Sequence, residues 1–150
     1  MTPAALTDYL HRHMPLSQAM AVMAIEANAE RVVLEAPLAP NINVHGTMFG
    51  GSVATLGLLA AWSVLHLGME AAGLRGQLVI HRTSTDYLRP IEDIARAVAK
   101  PNDVDWDKLG LVLERRGKVR LSATADILVE GSVAARLDGT FVALAERRDI

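Results

Sequence analysis

The sequence predicts an α+β domain in which an antiparallel sheet wraps around one long apolar helix. Three observations predict it. No Asp, Glu, Lys or Arg lies between Glu35 and Glu70, and the second half of that stretch is mostly apolar. Elsewhere apolar residues alternate, most clearly Val119, Leu121, Ala123, Ala125, Ile127 and Val129 on one face of one segment. The strand-like segments follow one another without a repeating parallel crossover. The chain has 150 residues, 51% hydrophobic and 21% charged, which suits one folded domain over 1–150.

Residues 4–13 read as a short helix, opened by Thr2 and Pro3 and ended by Pro15. Residues 18–27, small and apolar, read as a strand, and Asn28-Ala29-Glu30 as a turn. Residues 31–36 give a second strand, with Val32 and Leu34 on one face and Val33 on the other. A loop over 37–46 is fixed by Pro37 and Pro40 and marked by Asn41 and Asn43. The apolar helix follows over 50–67. In the strand at 78–88, Leu78, Ile80, Arg82, Ser84 and Asp86 share one face, and Val79, His81, Thr83, Thr85 and Tyr87 the other. Pro90 separates it from a strand at 94–100. Residues 103–116 form an amphipathic helix that ends on Arg115, Arg116 and Gly117. Strands at 118–130 and 132–144 meet at Glu130-Gly131. Asp138-Gly139 is expected to be a bulge, because the segments on either side continue one apolar run.

Composition removes several function classes. A net charge of −2 and a pI near 6.2 give no basic face for nucleic acid. Without cysteine there is no disulfide, thiolate nucleophile or cysteine-held metal. Residues 1–20 lack the basic start and unbroken apolar core of a signal peptide. These features together give a cytoplasmic expectation. The apolar helix is long enough to cross a bilayer. However, Gly50, Gly51, Gly57 and Gly68, with Ser52, Thr55, Ser63 and His66, interrupt it, and it lacks basic flanks. The expectation is a buried core helix and no membrane partner. One sheet hides one side of such a helix, and a second copy of the chain is the candidate to cover the rest.

The segment from Asn41 to Ser52 carries the chemistry. Gly46, Gly50 and Gly51 lead into the helix, whose first amides lack internal partners and sit at the positive end of its dipole. Such amides hold an anion or a polarised carbonyl oxygen; the same glycines also serve tight packing, and the pattern does not choose between the two. Gly46 to Ser52 is spaced like a phosphate-binding loop, but Gly51 stands where lysine is needed. Ser52 lacks the Gly-x-Ser-x-Gly elbow, and a Ser52–His45–Asp86 triad rests on composition alone. His11, His13, His66 and His81 form no metal signature, so no metal is expected. Arg115, Arg116, Lys118 and Arg120 form a basic cluster around a turn, a solvated patch or a phosphate contact.

The run Asn41-Ile42-Asn43-x-His45-Gly46-Thr47-Met48-Phe49-Gly50-Gly51-Ser52, the later Ala60-Ala61-Trp62, and Asp86-Tyr87-Leu88-Arg89-Pro90 resemble the putative-thioesterase hotdog family. A domain of that family is also found behind an acetyltransferase domain in some bacterial proteins. The resemblance spans about residues 15–145. It implies a hotdog fold, a homodimer or homotetramer with the site between subunits, and a small-molecule acyl thioester as substrate. Coenzyme A then enters as part of that substrate, and no other cofactor is expected. It also implies that the Gly50 and Gly51 amides polarise the thioester carbonyl, with Phe49, Gly46 and Asn41 beside them. Many hotdog thioesterases carry an acid on the helix, and alignment puts Leu58 in its place. The replacement candidates are His45, Asp86, Asn41 and Asn43, histidine having a proton affinity suited to base work. Arg82 and Arg89 are candidates for the phosphates of coenzyme A. The alternative is a non-catalytic module that binds acyl thioesters or dimerises; a dehydratase is weaker, for want of a histidine–acid pattern on the helix.

Overall fold

In a computed structural model, residues 1–146 are described. Six strands form one antiparallel sheet in the order β1-β2-β4-β5-β6-β3. They are β1 (Met23–Ala27), β2 (Val32–Ala36), β3 (Gly76–Tyr87), β4 (Ala95–Pro101), β5 (Lys118–Val129) and β6 (Ser132–Ala145). The helices are α1 (Pro3–His13), α2 (Pro15–Ala19), α3 (Gly50–Ala71) and α4 (Trp106–Arg116). α3 packs against β2, β3, β4, β5 and β6. Its most apolar window is 67% buried, so the long apolar helix is the core of the fold.

The inner face of the sheet is built from small residues. Ala95, Ala97, Ala99, Ala123, Ala125 and Ala143 are fully buried there, and Ala135 almost so. Gly57 is the close approach of helix and sheet: a Cβ there would stand 3.1 Å from Ile127 and 3.2 Å from Leu137.

Several expectations are corrected. The segment 18–27 is not one strand: Pro15 both ends α1 and opens α2, because a proline at the first helical position lacks only an N–H that has no partner anyway. The strand starts at Met23. The apolar helix runs to Ala71, past the expected Leu67, because Gly68 lets the Trp106 ring lie against it.

The face pattern of β3 breaks at His81, where the register shifts between Ile80 and Arg82. Leu78 and Ile80 face the helix with their partners Ala143 and Phe141. Beyond the bulge, Thr83, Thr85 and Tyr87 take over that face, opposite Gly139, Leu137 and Ala135, and Arg82, Ser84 and Asp86 turn outward. Asp138-Gly139 is no bulge: Gly139 pairs in register with Thr83 and Ala123. Its missing side chain makes room for the Phe141 ring, which a Cβ would meet at 2.8 Å.

An aromatic stack joins α1 to α3. The Tyr9 ring lies 4.4 Å from His13 and 5.2 Å from His66, and Trp62 stacks on His66 at 4.6 Å. The Trp62 indole donates to the Leu78 carbonyl at 2.9 Å, fastening β3 to the helix. His66 Nε2 is 3.3 Å from Glu70 Oε1, yet makes no well-aligned hydrogen bond. Burial holds the His66 imidazole below its ordinary range, against the opposing pull of Glu70.

Two predictions follow from this packing. Gly68→Ala places a Cβ 2.0 Å from Trp106 Cζ2. The overpacking costs about 1–3 kcal/mol against a helix-propensity gain of about 1 kcal/mol, so the urea midpoint falls. In a Trp106→Leu background only the gain remains, and the same change raises the midpoint. His66 binds a proton more readily unfolded than folded, so its contribution to stability is intact above about pH 6.5 and is lost as the pH falls below that value. Urea unfolding at pH 7.5 and pH 5 should show a smaller acid-induced loss in His66→Gln than in the wild type.

Candidate active site

The start of α3 is set by a small hairpin. Ile42 bridges Met48, and the Asn43 amide donates to the Thr47 carbonyl at 2.8 Å. Asn43 Oδ1 accepts from the His45 amide at 2.8 Å and the Thr47 amide at 3.2 Å, and its Nδ2 donates to Thr47 Oγ1. Gly46 takes the left-handed conformation the turn needs, at φ +78°. Asn41 is only 2% exposed; its Nδ2 donates to the carbonyls of Met20 and Pro37 at 2.9 and 2.8 Å. Its carbonyl receives the Phe49 amide at 2.7 Å, and the Met48 amide donates to Ile91 at 2.8 Å. Asn41 Nδ2 and Asn43 Oδ1 are therefore spent on the backbone, Asn41 Oδ1 is buried without a partner among the described residues, and the apex residues Val44 and His45 stand in solvent.

Phe49 is the N-cap and brings no side-chain oxygen to it. Its carbonyl takes the amides of Ser52 and Val53 at 2.9 and 3.1 Å. The amides of Gly50 and Gly51 meet no acceptor among the described residues. A helix start without a side-chain cap offers two donors and the positive end of a 22-residue helix to one small acceptor. The Phe49 ring, 58% exposed, lies over Gly51, where a Cβ would be 2.4 Å from it.

One cleft flanks this start and a second opens a turn further along α3. One, of about 350 Å³, is lined by Met48, Val53, Tyr87, Leu88, Arg89 and Ala134. The other, of about 450 Å³ and almost wholly apolar, runs between α3 and β3 past Thr55, Leu58, Trp62, Leu78, Ile80 and Phe141. Gly51, Thr55, Leu58 and Trp62 follow at spacings of four, three and four, one stripe of the helix. The groove thus lies along the stripe that begins at the free Gly51 amide and reaches Trp62 about 16 Å further on.

The structure brings Asn41, Asn43, His45, Gly46, Phe49, Gly50 and Gly51 together at the helix start, and Arg89 lines the smaller cleft beside it. It does not bring Asp86 or Arg82 there: both lie on the outer face of β3, opposite Arg136 and Thr140. Among the described residues Asp86 makes no ion pair, and Arg136 pairs instead with Asp126 at 3.3 Å. The basic cluster of Arg115, Arg116, Lys118 and Arg120 is at the other end of the helix, since Lys118 pairs with Leu144 beside Gly76. No three of His, Asp and Glu converge as a metal site among the described residues.

Sequence reasoning missed Tyr87 as a site residue. Its hydroxyl donates to the Gly50 carbonyl at 2.8 Å. The signal was present in the Tyr-Leu-Arg-Pro strand end, but strict alternation tied Tyr87 to Val79 and His81, and the bulge at His81 is what turns it toward the helix.

Known proteins share this architecture. A family model described as "Putative thioesterase (yiiD_Cterm)" matches residues 3–145. Among solved structures, a putative thioesterase from Shewanella oneidensis is 26% identical, with a TM-score of 0.83 over 95% of this chain and 96% of that one. A protein of unknown function from Chlorobaculum tepidum is 26% identical, with a TM-score of 0.88 over 97% and 98%. A thioesterase from Haemophilus influenzae, 14% identical, shares the fold, with a TM-score of 0.79 over 99% and 96%. The six-stranded sheet around one apolar helix is the hotdog fold of these thioesterases.

Asn41→Ala should leave the buried Met20 and Pro37 carbonyls without their donor. The expected cost is about 1–3 kcal/mol per orphaned group, read as a lower urea midpoint and faster hydrogen exchange at the Phe49 amide.

Proposed function

Because the chain belongs to the Putative thioesterase (yiiD_Cterm) family, we propose that it hydrolyses acyl thioesters carried on coenzyme A or on an acyl carrier protein. The observation that carries this reading is the pair of unpartnered amides at Gly50 and Gly51, one helical turn before an apolar groove that opens at Thr55. The thioester oxygen accepts from the two amides, and the acyl chain lies along Thr55, Leu58 and Trp62. Water attacks the carbonyl carbon, the oxygen gains charge as the tetrahedral intermediate forms, and the amides hold that charge. The carbon–sulfur bond then breaks and the thiolate leaves, to be protonated. Leu58 accepts no proton, so the base comes from elsewhere. His45, on the exposed apex of the hairpin, is the candidate within the chain. Asp86 of a second copy is the other.

Homo-oligomerisation belongs to the same proposal. Among the described residues β3 has a partner on one side only, β6, with eleven of its residues paired. It leaves Val79, Ile80 and Tyr87 exposed. An unpaired edge of this length can take another strand, and a second copy paired there would close the open side of the groove. Arg89, beside the smaller cleft, and Arg82, on the outer face, are the proposed contacts for the phosphates of coenzyme A. A reducing compartment such as the cytoplasm suits a cysteine-free chain.

A second reading is favoured by Leu58, whose place in the groove leaves that stretch of the helix without an acid. On that reading the domain binds acyl thioesters without cleaving them. Thiol release from short-, medium- and long-chain acyl-coenzyme A separates the two. The expected result is turnover, reduced at least about tenfold in His45→Ala if that imidazole is the base. Leu58→Trp should lower kcat/KM for long chains more than for acetyl. Saturable binding without thiol release from any substrate would establish the second reading.

A further inference from the structure

We infer that Tyr87 is a positioning residue that strengthens the Gly51 amide as a donor to the thioester oxygen, by hydrogen bonding to the carbonyl of the same peptide group. The inference rests on the reading of Gly50 and Gly51 as the amides that hold that oxygen. The Gly50 carbonyl and the Gly51 N–H are two ends of one planar, conjugated unit. The Tyr87 hydroxyl donates to that carbonyl at 2.8 Å. As the carbonyl of the first residue of α3 it also faces the Ala54 amide one turn on, and its two lone pairs allow both bonds. Pulling electron density toward the oxygen raises the double-bond character of the C–N link and the positive charge on the N–H, so the hydrogen bonds reinforce one another.

The geometry supports a specific role. A Cβ at Gly50 would lie 3.6 Å from the Tyr87 ring, so the ring rests against the helix start. Tyr87 is 56% exposed, with a hydroxyl that buries little, and loss of that oxygen alone leaves no hole in the core. The link also joins the end of the edge strand to the site, so the contact that helps hold β3 in place touches the reacting end of the groove. The neighbouring amide is untouched, because Gly50 N–H belongs to the peptide of Phe49, whose carbonyl accepts Ser52 and Val53. Gly50 is therefore an internal control for Gly51.

Tyr87→Phe removes the donor and keeps the ring. In the full-length protein, kcat on acyl-coenzyme A should fall about three- to tenfold, the usual effect of one neutral hydrogen bond, with KM unchanged, because the lost interaction strengthens only as charge develops. In the nuclear magnetic resonance spectrum the Gly51 amide proton should move upfield, and that of Gly50 much less. In a Tyr9→Phe background Tyr87 is the only tyrosine of the two. Replacing it with 3-fluorotyrosine, a stronger donor, should shift the Gly51 amide downfield and raise kcat. A purely structural tie would lower stability in Tyr87→Phe without this reversal. The inference is overturned if the Gly51 resonance does not move, or if it moves while an active wild type and Tyr87→Phe share the same kcat. Absence of wild-type turnover overturns the hydrolase reading instead, and the sign reversal at Gly51 alone then decides the electronic link.

Discussion

The rest of the structure depends on hiding α3. A helix with no charge from Gly50 to Met69 has no solvated face to offer, so it must be covered on all sides. The sheet can come close because its inner face is paved with alanine, and Gly57 lets Ile127 and Leu137 rest nearly on the helix backbone. Close approach increases the apolar area removed from water and the dispersion contacts made. Cover fails along one stripe, from Gly51 through Thr55 and Leu58 to Trp62, where β3 is the last strand and its second half turns to threonine and tyrosine after the bulge at His81. The groove is what remains when a six-stranded sheet reaches round a helix and stops.

The same economy explains the chemistry at the helix start. Polar side chains in the loop are committed to architecture: Asn41 ties the loop to Met20 and Pro37, and Asn43 closes the hairpin. Donors left over come from the backbone, at the two glycines that Phe49 cannot cap. Backbone donors fixed by a buried helix need no reorganisation when charge develops on an acceptor, which is the property that makes such amides effective. Side chains alone would have to be ordered first, at a cost in rotamer entropy.

The fold was legible where a period carried it. The alternation from Val119 to Val129 is present in the sheet, and the uncharged run is the core helix. Legibility failed where one residue changes the phase. The His81 bulge cannot be seen in alternating polar residues, because Arg82 and Thr83 suit either face of an edge strand. Gly139 read as a bulge because a glycine in a strand has two explanations, extra backbone freedom or space for a neighbour, and only the Phe141 ring chooses between them. Pro15 read as a stop and is also a start. In the candidate site, the glycine loop announced the free amides, since glycine before an apolar run is a local signal. Tyr87 stayed hidden, since its partner is a carbonyl thirty-seven residues away and its facing depends on the bulge.

Leu58 turns the missing acid into a constraint on where the base can stand. A carboxylate at its position would lie among Leu59, Trp62, Leu78 and Phe141, in surroundings that disfavour the charged form. Leucine keeps the groove apolar along its whole length and suits it to a hydrocarbon chain. In the proposed hydrolysis the proton acceptor then approaches from the open side, because Asn43 is spent on the hairpin and Asn41 Oδ1, buried without a partner, is an amide oxygen that is no base near neutral pH. That side is bounded by the exposed hairpin apex and by the unpaired edge of β3. In the proposed hydrolysis, carbonyl activation draws on the amides of one chain, whereas water activation draws on the exposed apex or on a second copy, and assembly at β3 would couple the two halves of the reaction.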